Sequence, residues 1–282
     1  MPGDYTHARD GTPLYYEIAG DLPGRPAVLL LMGLGFAGSV WVETRDRLTQ
    51  LGYRVITMDN RGMGRSGVPS AAFSTRVMGE DAVAVLDAAG AGRVHVVGLS
   101  LGGMIAQQVV LNHPGRVETL VLQSTTGGIP RLDFVSATGL LRAAAMLRAR
   151  LGNVTDEART RATLRLLTTG RYADETPLDE ARLAVYVAAL QADISIDGWL
   201  AQVRAASLHS TWGRLGEIQV PTLVQHGLRD RVVRAAAGRA LAARITGAQL
   251  ELYGGAGHLL VLQRPDALDR LMQFLLTEDA EQ

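Results

Sequence analysis

Val94-His95-Val96-Val97-Gly98-Leu99-Ser100-Leu101-Gly102-Gly103-Met104 changes character at its centre. Val94–Val97 is a short apolar run rich in β-branched residues, which reads as a buried strand. From Leu101 to Asn112 the pattern is helical. Between them lies Gly98-Leu99-Ser100-Leu101-Gly102, a G-x-S-x-G pattern. With 32 glycines and 10 serines in 282 residues, about 0.13 matches are expected from random placement, so the bare pattern carries little. Its position between strand and helix carries more. A strand that turns at once into a helix forces the central residue into a strained backbone conformation. Side chains two positions either side would collide with the neighbouring elements, so glycine fits both. The turn lifts the Ser100 hydroxyl above the sheet edge and points the Leu101 amide, at a helix N-terminus, into the same space. The plain alternative is a glycine-bounded turn with an inert serine.

Outward from this turn, strands and helices alternate. Strands are expected at Leu14–Ala19, Ala27–Met32, Arg54–Met58, Val94–Gly98 and Val117–Gln123, with helices at Val40–Leu51, Ser74–Ala89 and Leu101–Asn112. The last four strands are continuous apolar runs, as in a parallel sheet covered on both faces. From about Ile129 to Leu215 there is no convincing strand, only Ala-, Leu- and Arg-rich helical segments: Phe134–Leu151, Thr155–Thr169, Pro177–Gln191 and Ile194–Leu208. Alternation then resumes with Thr222–His226, a helix near Ala235–Ile245, Gln249–Leu252 and a last helix at Pro265–Leu276. The expected organisation is one α/β core (1–128 and 216–282) with a helical insertion (129–215). Disorder is expected only at the ends, such as the acidic tail Thr277–Gln282.

Composition narrows the chemistry. Hydrophobic residues at 47% allow a sizeable core, and formal net charge is zero. No basic run appears, so nucleic acid is a poor partner. The chain has no cysteine, hence no thiol nucleophile, disulfide or Cys–zinc site. All 28 basic residues are arginine. Without lysine there is no Schiff base and no P-loop. Met1–Gly20 lacks a signal-peptide pattern and no apolar run is long enough to span a membrane. A soluble, cytoplasmic protein that needs no metal or cofactor is the expectation, with a homo-oligomer left open.

A serine hydroxyl needs a base with a pKa near neutrality. His95 lies inside the strand before the turn and reads as a core residue; His113 marks a helix end; His7, His209 and His226 sit elsewhere. His258 differs. It follows the glycine-dense Gly254-Gly255-Ala256-Gly257 after a strand, a loop able to carry a side chain over the carboxyl edge of the sheet. In folds that carry a G-x-S-x-G turn between strand and helix, the acid that orients the base falls between serine and histidine in the chain. Asp230, just after Thr222–His226, fits; Gln123, Ser124 and Thr125 after the preceding strand offer no acid, and Asp133 and Asp193 fall in the insertion. A second oxyanion donor should come from Met32-Gly33-Leu34-Gly35-Phe36, with the Leu34 amide beside that of Leu101. Leu99 and Trp41 are candidate substrate contacts. Large apolar residues of the insertion, among them Phe134, Tyr186, Trp199 and Trp212, read mainly as core, with an apolar substrate implied if some face the cleft.

These segments together resemble the α/β-hydrolase superfamily over Leu14–Thr125 and Pro221–Leu276. Asp59-Asn60-Arg61-Gly62-Met63-Gly64-Arg65-Ser66 is similar to the family's D-x-R-G-x-G-x-S loop, where Asp59 and Arg61 are structural. The turn at Ser100 resembles that of capped esterases, enol-lactonases and carbon–carbon bond hydrolases. Ser100 stands where dehalogenases and epoxide hydrolases of this fold carry aspartate, which disfavours both. Met32-Gly33 departs from the His-Gly of many relatives. The resemblance implies a cofactor-independent serine hydrolase of an ester, lactone or thioester, with 129–215 as its cap. Carbon–carbon hydrolysis, perhydrolase chemistry, a cyclase and a low-turnover receptor are the rivals.

Overall fold

The computed structural model describes residues 3–20, 27–128, 156–168 and 195–281. Eight strands make one sheet: β1 Asp4–His7, β2 Pro13–Ala19, β3 Ala27–Leu31, β4 Val55–Met58, β5 Val94–Leu99, β6 Val117–Gln123, β7 Thr222–Gly227 and β8 Gln249–Tyr253. Their order is β1-β2-β4-β3-β5-β6-β7-β8. The two pairings made by β2 are antiparallel and the rest are parallel. The apolar runs legible in the sequence become strands β3 to β7, each buried at every position.

Alternation along these strands sorts the core into two layers. Leu29, Leu31, Val94, Val96, Leu120 and Leu122 face helices α2 (Thr75–Ala88) and α3 (Leu101–Asn112). Val28, Leu30, Val97, Leu99 and Val121 face the other way. The chain covers that second face with α1 (Val42–Gln50) and a C-terminal helix. Each α3 residue through Leu111 is buried, which explains its nearly uninterrupted apolar sequence.

Two further helices fall within 129–215, the segment expected to be an insertion: α4 Asp156–Leu167 and α5 Ile196–Ser207, inside the windows expected for them. The expected helices at 134–151 and 177–191 lie outside the described residues. Gly128 and Ser210 form an isolated antiparallel bridge, and the Thr211 amide donates to the Gly127 carbonyl at 2.8 Å. The chain thus leaves and re-joins the core at adjacent points. After it come α6 Ala235–Arg244, the short α7 Leu260–Gln263 and α8 Pro265–Ala280. No helix among the described residues is long and apolar enough to cross a membrane.

Three differences from the sequence reading have physical causes. Strand β1 is short, polar and mostly exposed, so it lacks the periodicity that marks a strand; its pairing with β2 creates it. Helix α7 is a single turn, too short for a periodic signal. The acidic tail is not disordered up to Ala280, because α8 continues through it. Asp279 anchors that end, accepting from Tyr53 Oη at 2.5 Å and lying 3.0 Å from Nε2 of the fully buried His95. Burial lowers the His95 pKa against the pull of Asp279, in keeping with its reading as a core residue.

Candidate active site

Strand order places the candidate residues. The chain runs outward from β3 to β4 on one side and to β5 on the other, the arrangement that opens a crevice at the carboxyl ends of parallel strands. Leu31 of β3 is in register with Gly98 of β5, so the loop after β3 lies beside the turn after β5.

Ser100 has φ 54° and ψ −116°. Among the described residues it and Ser124 are the non-glycine residues with positive φ, and such a conformation costs about 1–3 kcal/mol. The glycines are required by close approach. A Cβ on Gly98 would lie 2.4 Å from the Gly102 carbonyl oxygen, and one on Gly102 would lie 2.0 Å from that of Leu31. The Ser100 amide donates to Gln123 O at 2.9 Å, and its carbonyl accepts from Thr125 Oγ1 at 2.6 Å. Leu101 opens α3, so its N–H has no acceptor within the helix; its side chain packs into the core away from the crevice.

A Cβ on Gly33 would sit 3.4 Å from Ser100 Cβ, which brings the Gly33–Leu34 backbone against the serine. The departure at Met32 leaves this loop anchored by its backbone: the Met32 carbonyl accepts from Asn60 Nδ2 at 2.9 Å. The neighbouring Asp59 accepts from the Gly38 amide at 2.8 Å and the Arg65 amide at 2.9 Å. Arg61, 2% exposed, pairs with both carboxylate oxygens of buried Asp81 and with Asp10 at 2.9 Å. Burial opposes the Arg61 charge, but these two acids outweigh it and raise its pKa.

His258 Nδ1 lies 2.7 Å from Asp230 Oδ2, with both residues buried. Asp230 Oδ1 accepts from the Val232 and Val233 amides at 2.8 and 3.0 Å. A further histidine, not singled out by sequence, completes the set: His226 Nε2 lies 3.3 Å from Asp230 Oδ2 and 2.9 Å from the Val233 carbonyl. A carbonyl only accepts, so His226 carries its proton on Nε2. The spacing of four residues in His226-Gly227-Leu228-Arg229-Asp230 was the available signal. Burial alone would raise the Asp230 carboxyl, but the charge and hydrogen bond of His258 and the hydrogen bond of His226 hold it well below the usual carboxylate range. An ionised Asp230 accepts a hydrogen bond from Nδ1–H of His258 and so leaves Nε2 as the basic nitrogen.

Ser100, His258, Gly33, Leu34 and Leu99 line one cavity of about 60 Å³. Among the described residues its only ionisable wall is His258; the remainder is glycine, Ser100 and apolar side chains. Leu167, the last residue of α4, also lines it, and its carbonyl accepts from the His258 amide at 2.9 Å and the Leu259 amide at 3.2 Å. The insertion therefore holds the histidine loop. Trp41 is not in this cavity. It lines a second one of about 20 Å³, which shares Leu99 and Leu259 with the first.

Comparison with known proteins bears on the family and the fold. The family model for the alpha/beta hydrolase fold matches residues 26–265. The chain is 30% identical over 270 residues to the putative carbamate hydrolase RutD of Caulobacter sp. (strain K31), covering 95% of this chain and 97% of that one. The protein of that name from Variovorax paradoxus (strain S110) is 42% identical, but the match spans 111 residues, 39% of this chain and 41% of that one. Among solved structures, the enol-lactonase from Burkholderia xenovorans LB400 has a TM-score of 0.80 at 26% identity, covering 97% of this chain and 100% of that one. The esterase EaEST from Exiguobacterium antarcticum reaches 0.81 at 25% identity, with 97% and 99% covered. Sequence, strand order and relatives converge: the chain belongs to the α/β-hydrolase family.

Proposed function

We propose that this hydrolase works through Ser100, His258 and Asp230 on a carboxylic ester, lactone or thioester with an apolar acyl part. The observation that carries the reading is the His258–Asp230 pair, whose imidazole opens on the same cavity as the strained Ser100. Ser100 Oγ attacks the carbonyl carbon while His258 Nε2 takes its proton, and Asp230 stabilises the imidazolium so formed. The tetrahedral oxyanion is received by the Leu101 and Leu34 amides, each worth about 2.7–4 kcal/mol in the transition state. His258 returns the proton to the leaving alcohol or thiol, and water releases the acid by the reverse sequence. No metal or cofactor is required.

The cavity wall narrows the substrate. A carboxylate buried against Leu34, Leu99, Leu167 and Leu259 would lose its hydration with no described cation to replace it. A neutral hydrocarbon acyl group is therefore favoured. The RutD relatives are named putative carbamate hydrolases, and a carbamate likewise offers a carbonyl carbon bonded to a heteroatom leaving group. Residues 129–215 act as the cap, with Leu167 closing one side of the cavity.

A fluorophosphonate probe tests the reading. Wild-type protein should be labelled and Ser100→Ala should not; equal labelling of the two would end the proposal.

A further inference from the structure

Helix α5 reaches the site through Gln202. The helix packs so closely on the loop after β4 that a Cβ on Gly198 would lie 2.2 Å from the Gly62 carbonyl oxygen. One turn later, on the same face, stands Gln202, whose side chain is fully buried. Its Oε1 accepts from the Gly35 amide at 3.2 Å, and its Nε2 donates to the Arg61 carbonyl at 2.9 Å. Gly35 has φ 76° and directly follows Leu34. Arg61 is itself fixed by Asp81 and Asp10. The Gln202 amide thus adds a tie between the two loops at Gly35, beside those that Asn60 makes to Met32 and Asp59 makes to Gly38.

The side-chain type is the one this task needs. Gly35 N–H requires an acceptor and Arg61 C=O requires a donor, and an amide supplies one of each from one rigid plane. Leucine of similar size could make neither of these two bonds. An ionised glutamate would keep the first bond and set a carboxylate oxygen against the Arg61 carbonyl.

We propose that Gln202 is a positioning residue for the oxyanion site: it holds the Gly33–Gly35 backbone so that the Leu34 N–H points at the developing oxyanion. The inference rests on the serine hydrolase reading above. It adds that the C-terminal helix of the insertion sets the geometry of the oxyanion site without touching substrate. Displacement of such a donor by about 1 Å is enough to cost on the order of a hundredfold in rate.

The test uses full-length wild type, Gln202→Leu and Gln202→Glu with p-nitrophenyl butyrate and a fluorophosphonate, with kcat normalised to titrated serine. Gln202→Leu should lose about 10- to 100-fold in kcat and in labelling rate, with KM within about threefold. Gln202→Glu separates this from a general loss of structure. Protonated, its acid group mimics the amide, donating to Arg61 O and accepting from Gly35 N. Burial raises a carboxyl pKa, so this variant should be active near neutrality and lose activity on an alkaline limb absent from wild type and from Gln202→Leu. Should Gln202→Leu fail to fold, that limb decides alone. Kinetics of Gln202→Leu within twofold of wild type, or a flat profile for Gln202→Glu, would overturn the assignment while leaving the serine reading intact. Failure of wild type to be labelled would overturn both.

Discussion

Replacing Asp230 by asparagine changes one atom and should remove most of the activity. The carboxylate accepts from three donors, the Val232 and Val233 amides at Oδ1 and His258 at Oδ2, and His226 Nε2 stands 3.3 Å from Oδ2. In Asp230→Asn the side-chain oxygen stays with the two amides, because the alternative sets NH₂ against N–H. The new NH₂ then occupies the Oδ2 position, facing both imidazoles. His226 cannot adapt, since its Nε2 proton is committed to the Val233 carbonyl. His258 must therefore turn a lone pair toward the NH₂ at Nδ1 and carry its proton on Nε2, where it blocks uptake of the Ser100 proton. Loss of the correct tautomer in a serine triad lowers kcat about 10⁴-fold, or about 5 kcal/mol of barrier. The assay is pre-steady-state acylation by p-nitrophenyl butyrate alongside thermal unfolding. The expected result is a folded protein with KM little changed and acylation slowed by three to four decades. A folded Asp230→Asn variant within tenfold of wild type would refute the assigned proton path.

Three further outcomes follow from particular contacts. His209 is buried between Thr75 and Thr211, with Nδ1 2.9 Å from Thr75 Oγ1, and burial pushes its pKa down to about 3. The unfolded chain, titrating near 6.5, then binds more protons below that pH, so stability is full above 6.5 and falls as pH drops toward 3. Between pH 7 and 5 urea unfolding should show about 2 kcal/mol more loss for wild type than for His209→Gln; equal losses would mean that His209 titrates normally. Leu259→Ala opens the partition between the two cavities and should shift the preferred p-nitrophenyl ester toward longer acyl chains, at a stability cost of about 2–5 kcal/mol; an unchanged chain-length profile would show that the second cavity is closed to substrate. Gly102→Ala drives a Cβ into the Leu31 carbonyl and should cost about 3 kcal/mol or more in chemical denaturation; a change below 1 kcal/mol would mean that the turn is looser than this approach implies.

The parts of the fold visible in the sequence are those with a local cause. Strands β3 to β7 are buried on both faces and so spell continuous apolar runs. The turn at Ser100 needs glycine on both sides because Gly98 and Gly102 touch backbone. The pairing of Asp230 with His258 is legible because each follows a strand at the carboxyl edge, where loops converge. What escaped the sequence has non-local causes. His226 and Gln202 belong to a buried strand and a buried helix face, and neither residue type betrays that its side chain ends beside Asp230 or on the loop after β3. Trp41 follows the loop after β3 in sequence, yet packs behind Leu99 and Leu259, outside the cavity of Ser100.

The insertion changes meaning once its hydrogen bonds are known. From sequence it reads as a helical cap whose large apolar side chains are mainly core. Its described residues do something more intimate. The Leu167 carbonyl at the end of α4 holds the amides of His258 and Leu259, while Gln202 of α5 holds Gly35. The proposed base and, through Gly35, the proposed oxyanion donor are thus both tethered to this segment, whereas Ser100 is tethered to the sheet through Gln123. Productive geometry has to be held to within about 0.5 Å, so displacement of α4 or α5 would misalign base or donor while leaving the nucleophile in place. Substitutions that disturb the insertion should accordingly act on kcat as well as on KM, whereas a cap that only contacted substrate would act mainly through binding.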